Sequence, residues 1–238
     1  MLVLLPMVTH GQVGGKENNV LQMKKCHYLF FDLDGTLTDS ALGILRTAAF
    51  ALGHFGIQVD DLQTLRPFVG PPLEDSFKEF YGFSDAQAHE AVEIYRGRYE
   101  AVGVHENAPY PGVHDCLRAL REQGFRLAVA RSKPEKTARV VLDEFRLAGY
   151  FDFVCGRDAE GRLHTKADVI RHVLAHWEGV RREDSVMIGD RKYDVLGARE
   201  TGMDSIGALW GYGSRDELAG AGATWLVEDY EDLMRLLR

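Results

Sequence analysis

The sequence predicts an α/β fold with a parallel sheet at its centre, and three observations carry that expectation. Short apolar runs alternate with amphipathic helical stretches over most of the chain. The first run, Tyr28-Leu-Phe-Phe31, shows no polar alternation and stops abruptly at Asp32, as a strand buried on both faces does where it feeds a loop. Residues 41 to about 105 break the alternation and read as helices alone. Strands alternating with helices give a parallel sheet covered on both faces, with right-handed crossovers. The helical stretch then reads as an insertion lying over the sheet's carboxyl edge.

Each element has its own signal. After Tyr28–Phe31, strands are read at Phe125–Ala130, Phe151–Cys155, Ser185–Ile188 and Ser205–Leu209, with a short sixth at Thr224–Val227. Helical patterns fill the gaps at Val113–Gln123, Pro134–Phe145, Lys166–Trp177, Lys192–Thr201 and Asp229–Leu237. The insertion carries three amphipathic stretches, Ala41–Phe55, Leu73–Tyr81 and Ala86–Ala101. Open parallel sheets bind ligands beyond the carboxyl ends of their strands. Asp32, Arg131-Ser132 and Asp190 each follow a strand directly and are therefore expected to be neighbours.

Composition narrows the function. The chain has 238 residues, 45% of them hydrophobic, enough for a sizeable core and one or two domains. Its formal net charge is -8 and its pI about 5.6, with no basic stripe, so neither a nucleic-acid nor an anionic-membrane partner is expected. No apolar run approaches the roughly 18 residues of a membrane span. Cys26, Cys116 and Cys155 are odd in number and lack zinc-type spacing; they read as buried thiols in a reducing, cytoplasmic setting. Residues 1–23 lack the positive start and the cleavage site of a signal peptide, and Val13–Asn19 is Gly-rich and polar. They read as a disordered arm, with Met23 an alternative translation start.

Two acidic pairs carry the chemistry. In Asp32-Leu33-Asp34-Gly35-Thr36, two carboxylates two residues apart at the end of a buried strand repel each other and lose water, which a metal cation would offset. Gly35 permits a sharp turn that presents backbone N–H groups to an anion. Alone, such a D-x-D-G run also fits an Asx-type turn. In Gly189-Asp190-Arg191-Lys192-Tyr193-Asp194, two carboxylates four apart at a helix start face the same way, although an N-cap and a solvated aspartate would look alike. Lys166 opens a helix, where a lone lysine is ordinarily a surface residue.

Together these runs, FFDLDGTLTDS above all, resemble the motifs of the haloacid dehalogenase (HAD) superfamily. KADVI, GDRKYDVLGA and LWGYGSRDELAGAGA further resemble its phosphoglycolate phosphatase-like subgroup, from about Tyr28 to the C-terminus. The resemblance implies a Rossmann-like core of strand order 5-4-1-2-3, formed by residues 24–40 and 106–238, with a helical cap at 41–105. It implies a Mg2+-dependent phosphatase acting on small phosphate monoesters such as phosphoglycolate. Asp32 would be the nucleophile that forms an aspartyl-phosphate, and Asp34 the general acid and base. The Asp32 carboxylate and the Asp34 backbone carbonyl would bind the metal, with Asp190 completing the set and Asp194 acting through water or a supporting contact. Lys166 would neutralise Asp32 and the phosphoryl oxygens, while Lys133 and Lys136 stay peripheral. Gly35 and Thr36 would lie at the substrate phosphate.

The chain departs from the family at the second motif. The residue after strand Leu127–Ala130 should be Thr or Ser, whose hydroxyl holds a phosphoryl oxygen, but Arg131 stands there and Ser132 comes one residue late. Either Ser132 supplies the hydroxyl or the Arg131 fork grips the phosphate. In the insertion, Phe68-Val-Gly70-Pro-Pro72 resembles the loop that projects toward the substrate, with Gly70 allowing close approach, although a plain linker fits as well. Arg46, Arg66, Arg96 and Tyr99 are further cap-side candidates. Hinges are expected just after Ser40 and near Tyr110-Pro111-Gly112. Two rival functions share these residues: a phosphomutase, and a catalytically weakened protein that binds phosphorylated ligands.

Overall fold

A computed structural model describes residues 26–157 and 162–238, apart from the Lys133 side chain. The N-terminal arm expected at residues 1–23 lies outside the described residues. Six strands form one parallel sheet: β1 (Tyr28–Phe31), β4 (Arg126–Pro134), β5 (Phe153–Arg157), β6 (Ser185–Gly189), β7 (Asp204–Ala208) and β8 (Trp225–Val227). Two others, β2 (Thr38–Asp39) and β3 (Ala108–Pro109), pair antiparallel outside it. The sheet order is β5-β4-β1-β6-β7-β8. Counted within this sheet alone, that is the expected 5-4-1-2-3 order, and it departs in one detail: the sixth strand continues the row beyond the fifth.

Strand β1 is central and sandwiched. Leu29 and Phe31 join one core with Leu117 and Leu120 of α4 (Val113–Glu122), Val141 of α5 (Glu135–Glu144) and Leu233 of α9 (Tyr230–Leu236). Phe30 points to the other face, against Val169 and Val173 of α6 (Lys166–His176) and Ala198 of α7 (Lys192–Thr201). Leu29, Phe30 and Phe31 are fully buried. At about 1.5–3 kcal/mol for each such side chain, burial on both faces fixes the position of Asp32 at the strand's end.

Between β2 and β3 the chain forms α1 (Ala41–His54), a 3-10 helix at Leu62–Phe68, α2 (Leu73–Tyr81) and α3 (Asp85–Ala101). The first core is continuous with this insertion through Leu33 and Leu37 of the β1–β2 loop. Entry and exit run side by side, with Thr38 opposite Pro109 and Asp39 opposite Ala108. The expected hinges at Ser40 and Tyr110–Gly112 flank this ribbon.

Several elements differ from the sequence reading, the β2–β3 ribbon among them. Strand β4 runs past Ala130 to Pro134 with a register shift between these residues, so Arg131 and Ser132 lie in an irregular strand segment rather than a loop. The stretch around Arg66 is a 3-10 helix capped by Asp61, whose side chain accepts from the Gln63 N–H at 2.9 Å; Pro67 hides it from a helical pattern. Helix α8 (Arg215–Ala221), capped by Ser214, is too short to show a period. Cys116 and Cys155 are buried as expected, and Cys26 only half so. No helix among the described residues is long and apolar enough to cross a membrane.

Candidate active site

The ends of β1, β4 and β6 and the start of α6 converge. Asp32 leaves β1 with its N–H donating to the Ile188 carbonyl at 2.9 Å, which locks its backbone to β6. Lys166 is the first residue of α6, and a reciprocal cap sets that start: Thr165 Oγ1 accepts from the Asp168 N–H at 3.1 Å, and Asp168 Oδ2 from the Thr165 N–H at 2.9 Å. From there the Lys166 Nζ reaches Asp32 Oδ1 at 2.8 Å, Asp194 Oδ1 at 2.7 Å and the Ala130 carbonyl at 2.7 Å. Its side chain is 3% exposed. Burial works against the ammonium, yet the Asp194 and Asp32 carboxylates outweigh it and hold the amine above its usual value.

Asp190, fully buried at the end of β6, is fixed by Thr36 Oγ1 at 3.1 Å and the Tyr212 N–H at 2.8 Å. Gly35 makes this possible: its φ is +81°, and a Cβ there would lie 2.6 Å from Asp190 Cγ. The Gly35 N–H donates to the Thr38 carbonyl at 2.8 Å. Thr36 is anchored in turn, its carbonyl accepting from Trp210 Nε1 at 3.0 Å and the Tyr230 hydroxyl at 2.6 Å. In this arrangement Gly35 and Thr36 orient Asp190.

Asp32, Asp190 and Asp194 each offer a carboxylate oxygen within 4.8 Å of the others. Burial pushes Asp32 up to about 6 against the pull of Lys166, and pushes Asp190 well above the carboxylate range, with Asp194 and Asp32 adding repulsion. When these carboxyls ionise, one ammonium leaves part of their negative charge uncompensated. An all-oxygen, anionic donor set of this kind suits a hard divalent cation.

Arg131 lies in β4, directly after Ala130. Its side chain is 1% exposed, and Nη2 lies 2.9 Å from Asp34 Oδ2. Among the described residues its three guanidinium nitrogens make no aligned hydrogen bond. The contact with Asp34 is therefore Coulombic. Ser132, next in the chain, is half-buried. Above them, Tyr95 and Tyr99 of α3 stack with ring centroids 5.6 Å apart and are both buried. Tyr95 lies close enough to feel the Asp34 and Arg131 charges.

The structure thus brings together Asp32, Asp34, Lys166, Asp190, Asp194 and Arg131. Gly70 lies not at the carboxylates but against the Arg191 side chain. Of the other cap-side candidates, Arg46 pairs with Glu106 at 3.0 Å, Arg96 with Glu93 at 2.5 Å and Arg66 with Gln63 at 3.5 Å, all on the surface. Tyr99 is buried, and Lys136 is exposed. The Lys133 side chain lies outside the described residues. Sequence reasoning missed Tyr95, which has no motif around it. It also missed Trp210 and Tyr212, although both stand in the LWGYG run.

A parallel α/β sheet that presents a carboxylate at the end of its first strand, with a buried lysine on it and an acidic triad around it, defines a hydrolase of the phosphatase class. The chain belongs to the haloacid dehalogenase-like hydrolases, matching that family over residues 29–208. It is 42% identical over 209 residues to a Pseudomonas aeruginosa protein named 5'-nucleotidase, covering 88% of this chain and 94% of that one. It is 40% identical over 188 residues to the tyrosine-protein kinase PtkA of Mycobacterium tuberculosis, covering 79% of this chain and 64% of that one. A crystal structure of a predicted phosphatase from Clostridium acetobutylicum superposes with a TM-score of 0.84 at 44% identity, covering 89% of this chain and 98% of that one.

Proposed function

We propose that the chain is a magnesium-dependent phosphatase that hydrolyses small phosphate monoesters through an aspartyl-phosphate on Asp32. The observation that carries this reading is the Lys166 ammonium, buried between Asp32 at 2.8 Å and Asp194 at 2.7 Å. It holds the Asp32 carboxylate in one orientation and offsets negative charge where a phosphoryl group arrives. Asp32 Oδ attacks phosphorus as the ester P–O bond breaks, and Asp34 gives a proton to the departing oxygen. Asp34 then takes a proton from water, which attacks the aspartyl-phosphate and frees Asp32 and inorganic phosphate. Asp32, Asp190, Asp194 and the Asp34 backbone carbonyl would hold the Mg2+, which supplies positive charge to the transferring oxygens.

Arg131 takes the position of the family's hydroxyl, and its buried, hydrogen-bond-poor fork suits it to the phosphoryl oxygens. Ser132 stands beside it. The helical insertion, residues 41–105, serves as the cap that excludes water. The subgroup resemblance supports a phosphoglycolate-like substrate. A nucleoside monophosphate stands behind it, on the 42% identity to the protein named 5'-nucleotidase. The Arg131–Asp34 contact at 2.9 Å supports a second reading, a weakened enzyme whose proton-transfer group is held by the arginine.

Phosphate release from a panel of monoesters, with and without Mg2+, tests the reading. Wild type should release phosphate only with the metal. Asp32→Asn, nearly isosteric, should abolish release while its circular dichroism stays native. Release by this variant near the wild-type rate would remove Asp32 from the nucleophile's role.

A further inference from the structure

Arg191 joins the acidic end of the sheet to the insertion. It follows Asp190 directly, and its backbone N–H donates to Asp194 Oδ2 at 3.1 Å. Its side chain turns the other way. Nε donates to Glu217 Oε1 at 2.8 Å, and Nη1 donates to the carbonyl of Val69 in the loop between the 3-10 helix and α2. Glu217 Oε1 also accepts from the Lys192 N–H at 2.9 Å, so one carboxylate orients both the guanidinium and the backbone beside it. The pair is sheltered, with side-chain exposures of 17% and 23%.

The loop is shaped to meet this side chain. Val69 is 5% exposed. Gly70 has a φ of +111°, and a Cβ on it would lie 2.8 Å from Arg191 Cζ, so no side chain fits between loop and guanidinium. The insertion thus rests a backbone carbonyl on a preoriented cation whose own backbone braces Asp194. Arginine suits this task better than lysine, because its planar fork serves Glu217 and the carbonyl at once.

We infer that Arg191 is a positioning residue: it holds the Val69–Gly70 loop of the insertion against the acidic end of the sheet, and so governs how readily the insertion opens for substrate entry and product release. The kinetic consequence rests on the phosphatase reading; the holding of the loop does not. A charge-assisted hydrogen bond to a carbonyl, once removed, frees the loop to open more often while the site beneath it stays built.

Amide hydrogen exchange on the full chain, without substrate, tests this first. Arg191→Met keeps the aliphatic stem and removes the donors. It should speed exchange around Val69–Gly70 by about tenfold or more, the weight of one charge-assisted bond, and leave α7 unchanged. Gly70→Ala should produce the same opening with Arg191 intact, and the double variant should be no worse than either single one. With Mg2+ and p-nitrophenyl phosphate, Arg191→Met should raise KM by about tenfold, spare kcat, and leave the half-saturating Mg2+ concentration where it was. Arg191→Lys should restore part of both readouts. Unchanged exchange in the loop would overturn the inference. So would faster exchange in α7 joined to a higher Mg2+ requirement, since Arg191 would then serve the acidic motif. If wild type hydrolyses no ester at all, the phosphatase reading fails while the exchange result still decides the role of Arg191.

Discussion

Replacing Arg131 by threonine probes a position where this chain departs from the motif it resembles. At 2.9 Å from Asp34 Oδ2, the guanidinium feels a gross attraction of about 6 kcal/mol at an effective dielectric constant near 20. Loss of hydration offsets most of it, because Arg131 is buried without an aligned hydrogen bond. A phosphoryl group entering the site gives the fork the acceptors it lacks. One charge-assisted hydrogen bond is worth about 1.5–3 kcal/mol, or roughly 10- to 150-fold in affinity. Arg131→Thr should therefore raise KM, and the inhibition constant of inorganic phosphate, by about that factor. The turnover number should hold or rise, since Asp34 is released and a hydroxyl returns to the expected place. Steady-state kinetics on p-nitrophenyl phosphate and phosphoglycolate, with phosphate as competitor, give all three quantities. Unchanged KM and unchanged phosphate inhibition would refute the reasoning, and Ser132→Ala should then lower turnover instead. Higher turnover with no change in KM would favour the weakened-enzyme reading.

Two further outcomes follow from the buried charges. Lys166→Met strands Asp32 and Asp194, and should destabilise the fold by about 3–5 kcal/mol; that lowers the melting temperature by roughly 6–20 °C in a domain of this size. Adding Asp194→Asn should recover part of the loss, and a melting curve unmoved by Lys166→Met would show that the bridge is not formed. The second concerns pH. Asp32 is raised from its usual 3.8 to about 6, and Asp190 is raised also, so the metal-free fold favours their neutral forms. That stability is fully present below about pH 4 and is lost as pH rises through about 6. Mg2+, which offsets the ionised carboxylates, should raise the melting temperature more at pH 8 than at pH 5. Equal gains at both would show that these carboxyls do not hold the ion.

The sheet was legible because its signals are local. Tyr28–Phe31 is apolar on both faces and ends in an aspartate, and such a run has few other uses. Asp32 and Asp190 were legible for another reason: each sits one step beyond a strand, so topology brings them together, whereas Lys166 was placed with them only by the family resemblance. What stayed hidden depends on long-range packing. Tyr95 feels the Asp34 and Arg131 charges from a helix of the insertion, far from both in the chain. Thr36 was expected at the substrate, and nothing near it in the chain reveals that its hydroxyl donates to Asp190, 154 residues further on. Arg191 lay inside a motif already quoted, yet nothing in its neighbours reveals a partner as distant as Val69. The Ser84-to-Gln87 cap, with the Ser84 side chain accepting from the Gln87 N–H, starts α3 at Asp85, one residue before the expected Ala86.

The two-residue ribbon at Thr38–Asp39 and Ala108–Pro109 has a consequence for how such a protein changes over time. Paired antiparallel strands hold their Cα atoms about 4.5–5.5 Å apart, so the chain leaves the sheet and returns to it through one narrow gate. The sheet therefore meets whatever hangs between these strands as a closed loop whose length scarcely matters: each doubling adds only about 0.6 kcal/mol to the entropy of closure. A longer, shorter or differently folded segment can be spliced at this gate while Asp32, Asp190 and Lys166 keep their places. If the insertion meets the leaving group as proposed, new substrates can be acquired by replacing a module rather than by rebuilding a site.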